Sequence, residues 1–432
     1  MRNKFAILLS LYMIFCSASA GASQVDRPQL ETVAAKKSPQ APTKRLGLAC
    51  SNKGVEEFNY QLATQGSLGP LGRVFYIEFP KPDAKDPRPE CGVYIFSPAD
   101  PSNAQQKIAL TSEDFFSVFS EDNGQFGSVR DGTLVHLPGH ATTAADALPR
   151  VIKFRIGSNF QGPAIVVDWP TGIVTDYKKT KKNRKKYLEK ILLTLQAVHD
   201  LDVKNRLHVW GHSHGALLAV ETLSLGQWTN GYRKPIFNLI LEAPDVRFDQ
   251  VFANTPILNE SAKRITIYCA NNDVALKLPA ILGGKNEDRM CAKRSLLKLT
   301  EFVSVSVDMV DVTKFVRKLS IRTDKELEEW VPRRLREERV SVASTTIPPA
   351  AIQRLALRHS TIVFALFTQS LTRSFFRFNH NYFEAEILED ELGHLIRGNK
   401  PDSRPYLMPS SESDRVWEFD GSIPNAAGRK EI

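Results

Sequence analysis

Leu207-His208-Val209-Trp210-Gly211-His212-Ser213-His214-Gly215-Ala216-Leu217-Leu218-Ala219-Val220-Glu221-Thr222-Leu223 decides how this chain folds. Leu207 to Trp210 is a short, largely apolar run and reads as a buried strand, and Ala216 to Leu223 is made mostly of good helix formers. Between them Gly211 and Gly215 flank Ser213 in the pattern Gly-x-Ser-x-Gly. The two glycines let a chain turn sharply from strand into helix while the serine stays at the turn. Five residues are a weak pattern alone; the strand directly before and the helix directly after supply the context it needs. A helix starting there also sets positive partial charge beside the serine.

The same alternation extends on both sides. Upstream, Thr133-Leu134-Val135-His136-Leu137 and Ala164-Ile165-Val166-Val167 read as strands, with a helix over Ala144 to Ile156 between them. Leu188, Ile191, Leu192, Leu195 and Val198 recur at helical spacing just before the central strand. Downstream, strands are expected at Phe237 to Leu241, Ile265 to Cys269 and Val303 to Val310. Repeated strand–helix–strand units imply right-handed crossovers and a mostly parallel sheet with helices on both faces. Val74-Phe75-Tyr76-Ile77 and Val93-Tyr94-Ile95-Phe96 read as opening antiparallel strands. From about 314 to 379 the alternation breaks, and the apolar helical stretch Ile352 to Phe378 reads as an insertion, either a lid or a core-covering helix. The domain so defined runs from 48 to 396, and residues 397–432 read as a loosely ordered tail.

A serine hydroxyl is a poor nucleophile near neutral pH, so it needs a histidine base, which in turn needs a carboxylate to hold its tautomer. In sites of this kind the chain order is serine, acid, histidine. Asp273, after the strand ending at Cys269, is the preferred acid, and Asp245 in Ala243-Pro244-Asp245 is its rival. His380, in Phe378-Asn379-His380-Asn381-Tyr382-Phe383, is the candidate base, since His394 falls inside a helical stretch. For an oxyanion hole, one backbone N–H is expected from His214 and the other from His140 in Pro138-Gly139-His140-Ala141. Gly139, Trp169 and His212 are candidate pocket residues.

These pieces together resemble a known family. Gly139 to Leu148, Asp168-Trp169-Pro170, Gly211 to Gly215, Ala243-Pro244-Asp245-Val246, Tyr268 to Leu276 and His380-Asn381-Tyr382-Phe383 occur in the order found in a bacterial α/β-hydrolase family of unknown function. The resemblance covers about residues 130–313 and 378–385. It implies the α/β-hydrolase fold, ester-type hydrolysis and a triad of Ser213, Asp273 and His380. Pro138 stands where that family usually has His, and His214 where it usually has Met.

Composition fits an ordinary globular protein, with 42% hydrophobic and 24% charged residues among 432. Arg2 and Lys4, the apolar run Phe5 to Phe15 and Ala18-Ser19-Ala20 read as an export signal cut after Ala20. A retained membrane anchor is the alternative, although the apolar run is short of the roughly twenty residues a span needs. Residues 21–47 read as a flexible linker. Of five cysteines, Cys16 leaves with the signal; Cys50 with Cys91 and Cys269 with Cys291 is the preferred pairing of the rest. Four unpaired thiols are the alternative.

The net charge is +9, and seven Lys or Arg fall between Lys178 and Lys186. That run would suit nucleic acid in another chain, which an export signal argues against. Following the strand Ala164 to Val167, it is expected on the face of the active site, where it either draws an anionic substrate or membrane surface or is simply a solvated loop and helix start. The expected function is therefore an exported, periplasmic or secreted, serine esterase or lipase acting on an ester-bearing small molecule or lipid. It calls for no cofactor and no metal. Two other readings remain open at this point: a hydrolase-fold binding protein without catalysis, and a metallophosphoesterase using Gly211-His212-Ser213-His214. The second lacks the upstream metal-binding motifs such an enzyme requires.

Overall fold

Five successive strands are runs of Val, Ile, Leu and Trp with few breaks, and a strand that is apolar on both faces belongs in the interior of a parallel sheet. The computed structural model of the chain places them there. It describes residues 48–52, 55, 72–97, 100–125, 131–171, 177–228, 234–271, 290–291, 307–316, 386–400, 403–405, 407–410 and 413–419. The expected signal (1–20), the linker (21–47), Asp273, His380 and the stretch Ile352 to Phe378 lie outside the described residues.

In chain order the elements are β1 (Arg73–Glu78), β2 (Glu90–Ser97), β3 (Asp100–Leu110), α1 (Ser112–Gln125), β4 (Thr133–Leu137), α2 (Ala144–Gly157), β5 (Ala164–Asp168), α3 (Tyr177–Arg184), α4 (Leu188–Leu201), β6 (Leu207–His212), α5 (His214–Leu223), β7 (Asn238–Glu242), α6 (Phe248–Ser261), β8 (Ile265–Cys269), β9 (Val307–Asp311), α7 (Glu386–Ile396), β10 (Met408–Ser410) and β11 (Ser413–Glu418). Among the described residues the strands make one eleven-stranded sheet ordered β10-β11-β9-β8-β7-β6-β4-β5-β1-β2-β3. It is parallel from β11 to β1, and the antiparallel pairs β10–β11, β1–β2 and β2–β3 close its two edges.

Alternation along each strand divides the core in two. On one face Val135, Val167, Val209 and Leu241 pack with Ile191, Leu195 and Val198 of α4 and Leu217, Val220 and Leu223 of α5. On the other, Leu134, Val166, Trp210 and Ile240 pack with Leu148, Val151 and Phe154 of α2 and Leu392 and Leu395 of α7. Thr143 and Asp146 form a reciprocal cap that starts α2 where the sequence expects it.

The described residues from 403 to 419 depart from the expected loose tail. β11 lies parallel to β9, with Val416 opposite Met309 and Trp417 opposite Val310, and β10 pairs with β11. Trp417 and Phe419 bury their rings in the second core. A fully buried ion pair reinforces the join: Arg404 Nη1 lies 2.7 Å from Glu391 Oε1 on α7, which also accepts the Tyr268 hydroxyl of β8 at 3.0 Å. A loose segment could not pair a charge in the interior, so these residues are part of the domain.

The strand order reverses beside β4: β5 lies on one side of it and β6 on the other. In open parallel sheets such a reversal leaves a crevice at the carboxyl ends of the strands, where ligands bind. Registers align those ends, with Leu137 opposite Gly211, His212 opposite Glu242, and Glu242 opposite Tyr268. The segments leaving β4, β6 and β7 therefore emerge side by side.

Candidate active site

Backbone strain marks the same edge. Among the described residues, the non-glycines at positive φ are Ala141 (54°), Asn159 (51°), Asn205 (51°), Ser213 (53°) and Ala243 (43°). Asparagine tolerates the left-handed region; alanine and serine do so at a cost of about 1–3 kcal/mol each, and such strain gathers at functional sites. Ala141, Ser213 and Ala243 follow β4, β6 and β7 in turn.

Ser213 occupies the turn between β6 and α5 with φ 53° and ψ −116°. Its N–H donates to the Glu242 carbonyl at 2.9 Å, and its own carbonyl accepts N–H groups of Ala216 at 3.1 Å and Asp245 at 3.1 Å. The flanking glycines are required by contact. A Cβ on Gly211 would stand 2.6 Å from Ala216 Cα, and one on Gly215 would stand 2.0 Å from the Leu137 carbonyl oxygen. α5 thus starts against the end of β4, and its first N–H groups, having no acceptor within the helix, face the segment where Ser213 sits.

The loop after β4 closes over the turn. A Cβ on Gly139 would lie 2.9 Å from His212 Nδ1 and 3.1 Å from Ser213 Cβ, so this loop borders the serine directly. Trp169 is fully buried and donates its indole N–H to the Pro138 carbonyl at 3.1 Å, bracing the loop from within. His212 is buried, and the His140 ring stands 5.7 Å from that of His214. Sequence reasoning thus brings together Gly139, His140, Trp169, His212, Ser213 and His214, whereas Asp273 and His380 lie outside the described residues.

Asp245, the rival acid, is 2% exposed and its Oδ2 lies 2.7 Å from His214 Nδ1. The same oxygen accepts the Tyr177 hydroxyl at 2.7 Å. The Tyr177 ring meets that of His214 edge-on at 4.8 Å, and Trp169 stacks on His214 at 6.3 Å. Sequence reasoning named Asp245, His214 and Trp169 but not their contact, and missed Tyr177, whose hydroxyl announces itself by no motif.

Two features brace the surroundings. Asp168, at the end of β5, accepts the Ala144 N–H at 2.8 Å and so caps α2; burial pushes its carboxyl up to about 7, against the opposing pull of that hydrogen bond. Cys269 is bonded to Cys291 and Cys50 to Cys91, the pairing the sequence favours. The Met290 N–H donates to the Val246 carbonyl at 2.9 Å, which seats the Cys291 side of the Cys269–Cys291 bridge beside Asp245.

A parallel sheet with helices on both faces and a strained serine between its central strand and the following helix is the architecture of an α/β hydrolase. Residues 127–332 match the model of a family described as alpha/beta hydrolase of unknown function (DUF900), in agreement with the resemblance carried by the motifs. A putative cell surface hydrolase from Lactobacillus plantarum WCFS1 is similar in structure at a TM-score of 0.29 and 12% identity, over 42% of this chain and 80% of that one. No curated protein matches the chain.

Proposed function

We propose that this hydrolase is a serine esterase or lipase in which Ser213, Asp273 and His380 form the catalytic triad. The observation that carries the reading is the left-handed Ser213 at the head of α5, bordered by Gly139 of the loop after β4. Ser213 Oγ attacks the ester carbonyl while His380 takes its proton and Asp273 stabilises the imidazolium. The backbone N–H groups of His214 and His140 receive the developing oxyanion. His380 returns the proton to the departing alcohol, leaving an acyl-serine that water cleaves to the free acid. Asp245 is already engaged by His214 and Tyr177, which favours Asp273 for the triad. The two disulfides are compatible with an exported chain, and among the described residues no helix is long and apolar enough to cross a membrane.

A p-nitrophenyl ester panel of increasing acyl length tests this on the wild type and Ser213→Ala. Fluorophosphonate should label the wild type at Ser213. The substitution should abolish labelling and lower turnover at least about a thousandfold. Unchanged turnover in Ser213→Ala would sink the serine mechanism.

A further inference from the structure

We infer that Lys179 and Lys182 of α3, with Lys185 and Lys186 of the turn after it, form a docking surface for an anionic phospholipid bilayer beside the Ser213 site. The inference deepens the esterase reading and rests on it for what docking would deliver. α3 reads Tyr-Lys-Lys-Thr-Lys-Lys-Asn-Arg and contains no acidic residue. Like charges so close repel one another, and the helix is fixed instead by contacts at both ends. Tyr177 donates to Asp245, Thr180 donates to the Thr171 carbonyl, and Arg184 makes a two-pronged pair with Glu221 of α5 at 2.6 Å for each bond.

Those anchors neutralise the buried cation, Arg184. Lys179, Lys182, Lys185 and Lys186 are exposed and make no ion pair among the described residues. Lys179 and Lys182, three apart, share a face. The exposed charges run from Lys179 within α3 to Lys186 in the turn that follows it. Beyond Tyr177 this helix has no apolar side chain to insert, so attachment would be peripheral and electrostatic. Exposed Arg forks or interleaved aromatics, which would suit nucleic acid, are missing from it. Its first residue, Tyr177, touches Asp245 and His214 beside the serine, so Lys179 and Lys182 stand within about two helical turns of the elbow.

The test uses the full-length Ser213→Ala chain, which leaves lipid intact, sedimented with vesicles of one part phosphatidylglycerol to two parts phosphatidylcholine. Binding should be present at about 0.1 M salt and lost at about 1 M. Combining Lys179→Gln, Lys182→Gln, Lys185→Gln and Lys186→Gln should weaken it about a hundredfold or more, at roughly fivefold per lysine. The same four positions changed to Arg should retain it, which controls for folding. Any contribution of residues 1–20 is the same in every variant. Binding by the four-Gln chain within twofold of its parent, equal binding to pure phosphatidylcholine, or equally tight binding to duplex DNA would each overturn the assignment. Fluorophosphonate labelling of the chain with Ser213 intact reads the esterase proposal separately. Labelling without vesicle binding overturns docking alone; vesicle binding without labelling overturns only the esterase.

Discussion

His214 Nδ1 lies 2.7 Å from Asp245 Oδ2, with both side chains buried. This contact ties the residue after Ser213 to the loop after β7, and the Asp245 N–H adds a hydrogen bond to the Ser213 carbonyl at 3.1 Å. Asp245 thereby holds the turn from both its main chain and its side chain, and Tyr177 holds Asp245. Its function would be to position the His214 N–H rather than to orient the base.

The distinction is measurable. A triad acid replaced by its amide lowers kcat by about ten-thousandfold, because the histidine takes the wrong tautomer. Asp273→Asn should show a loss of that order. Asp245→Asn should cost only about ten- to a hundredfold, and Tyr177→Phe, which removes one hydrogen bond, about fivefold. Losses exchanged between Asp245→Asn and Asp273→Asn would make Asp245 the triad acid.

Gly139→Ala tests the seating of the loop on the serine. The added methyl would sit 2.9 Å from His212 Nδ1 and 3.1 Å from Ser213 Cβ, so the loop or the turn must move by several tenths of an ångström. Displacement near 1 Å costs about a hundredfold in rate when reacting groups are misaligned. kcat/KM on a p-nitrophenyl ester should fall by tenfold or more while the thermal midpoint shifts little. Full activity in Gly139→Ala would mean that this loop does not border the reacting atoms.

The central α/β pattern was legible because each parallel strand, buried on both faces, is an uninterrupted apolar run, and because Gly211 and Gly215 are demanded by contacts under 3 Å. Element boundaries around the elbow fall within two residues of expectation, with α5 starting at His214 rather than Ala216. The C-terminal strands were missed for a physical reason: β10 is three residues long and Pro409 interrupts it, so no periodic signal separates it from a loop. Asp245 was legible as a carboxylate after a strand, but its partner was not, since the choice between His214 and a distant histidine depends on packing.

Asp168 provides a pH signature. Its carboxyl is raised to about 7 in the fold by burial, from an ordinary value near 3.8. Between those values the folded state keeps a proton that the unfolded chain has released. The stabilisation is thus full below about pH 4 and is lost as pH rises through about 7. Asp168→Asn removes the titration while its amide oxygen can still accept the Ala144 N–H. Urea unfolding at pH 5 and pH 8 should show the wild type losing about 2–3 kcal/mol more than Asp168→Asn across that interval. Parallel pH profiles in the two proteins would show that Asp168 is ionised throughout.

The two disulfides should separate stability from activity. Cys50–Cys91 encloses the longer segment, a separation of 41 against 22 for Cys269–Cys291, and chain entropy puts both at about 3–4 kcal/mol. Their positions differ. Cys91 is on β2, four strands from β6 or about 19 Å across the sheet, whereas Cys269 ends β8, four residues before Asp273. Cys291 also follows Met290, whose N–H supports Val246 next to Asp245. Cys50→Ser/Cys91→Ser should therefore lower the urea midpoint yet keep most of kcat at a temperature where it stays folded. Cys269→Ser/Cys291→Ser, with a similar loss of stability, should drop kcat by tenfold or more, because the Met290 contact to Val246 beside Asp245 loses its tether to β8. Equal kcat losses in the two double variants, measured on folded protein, would show that the second bridge has no particular hold on the site.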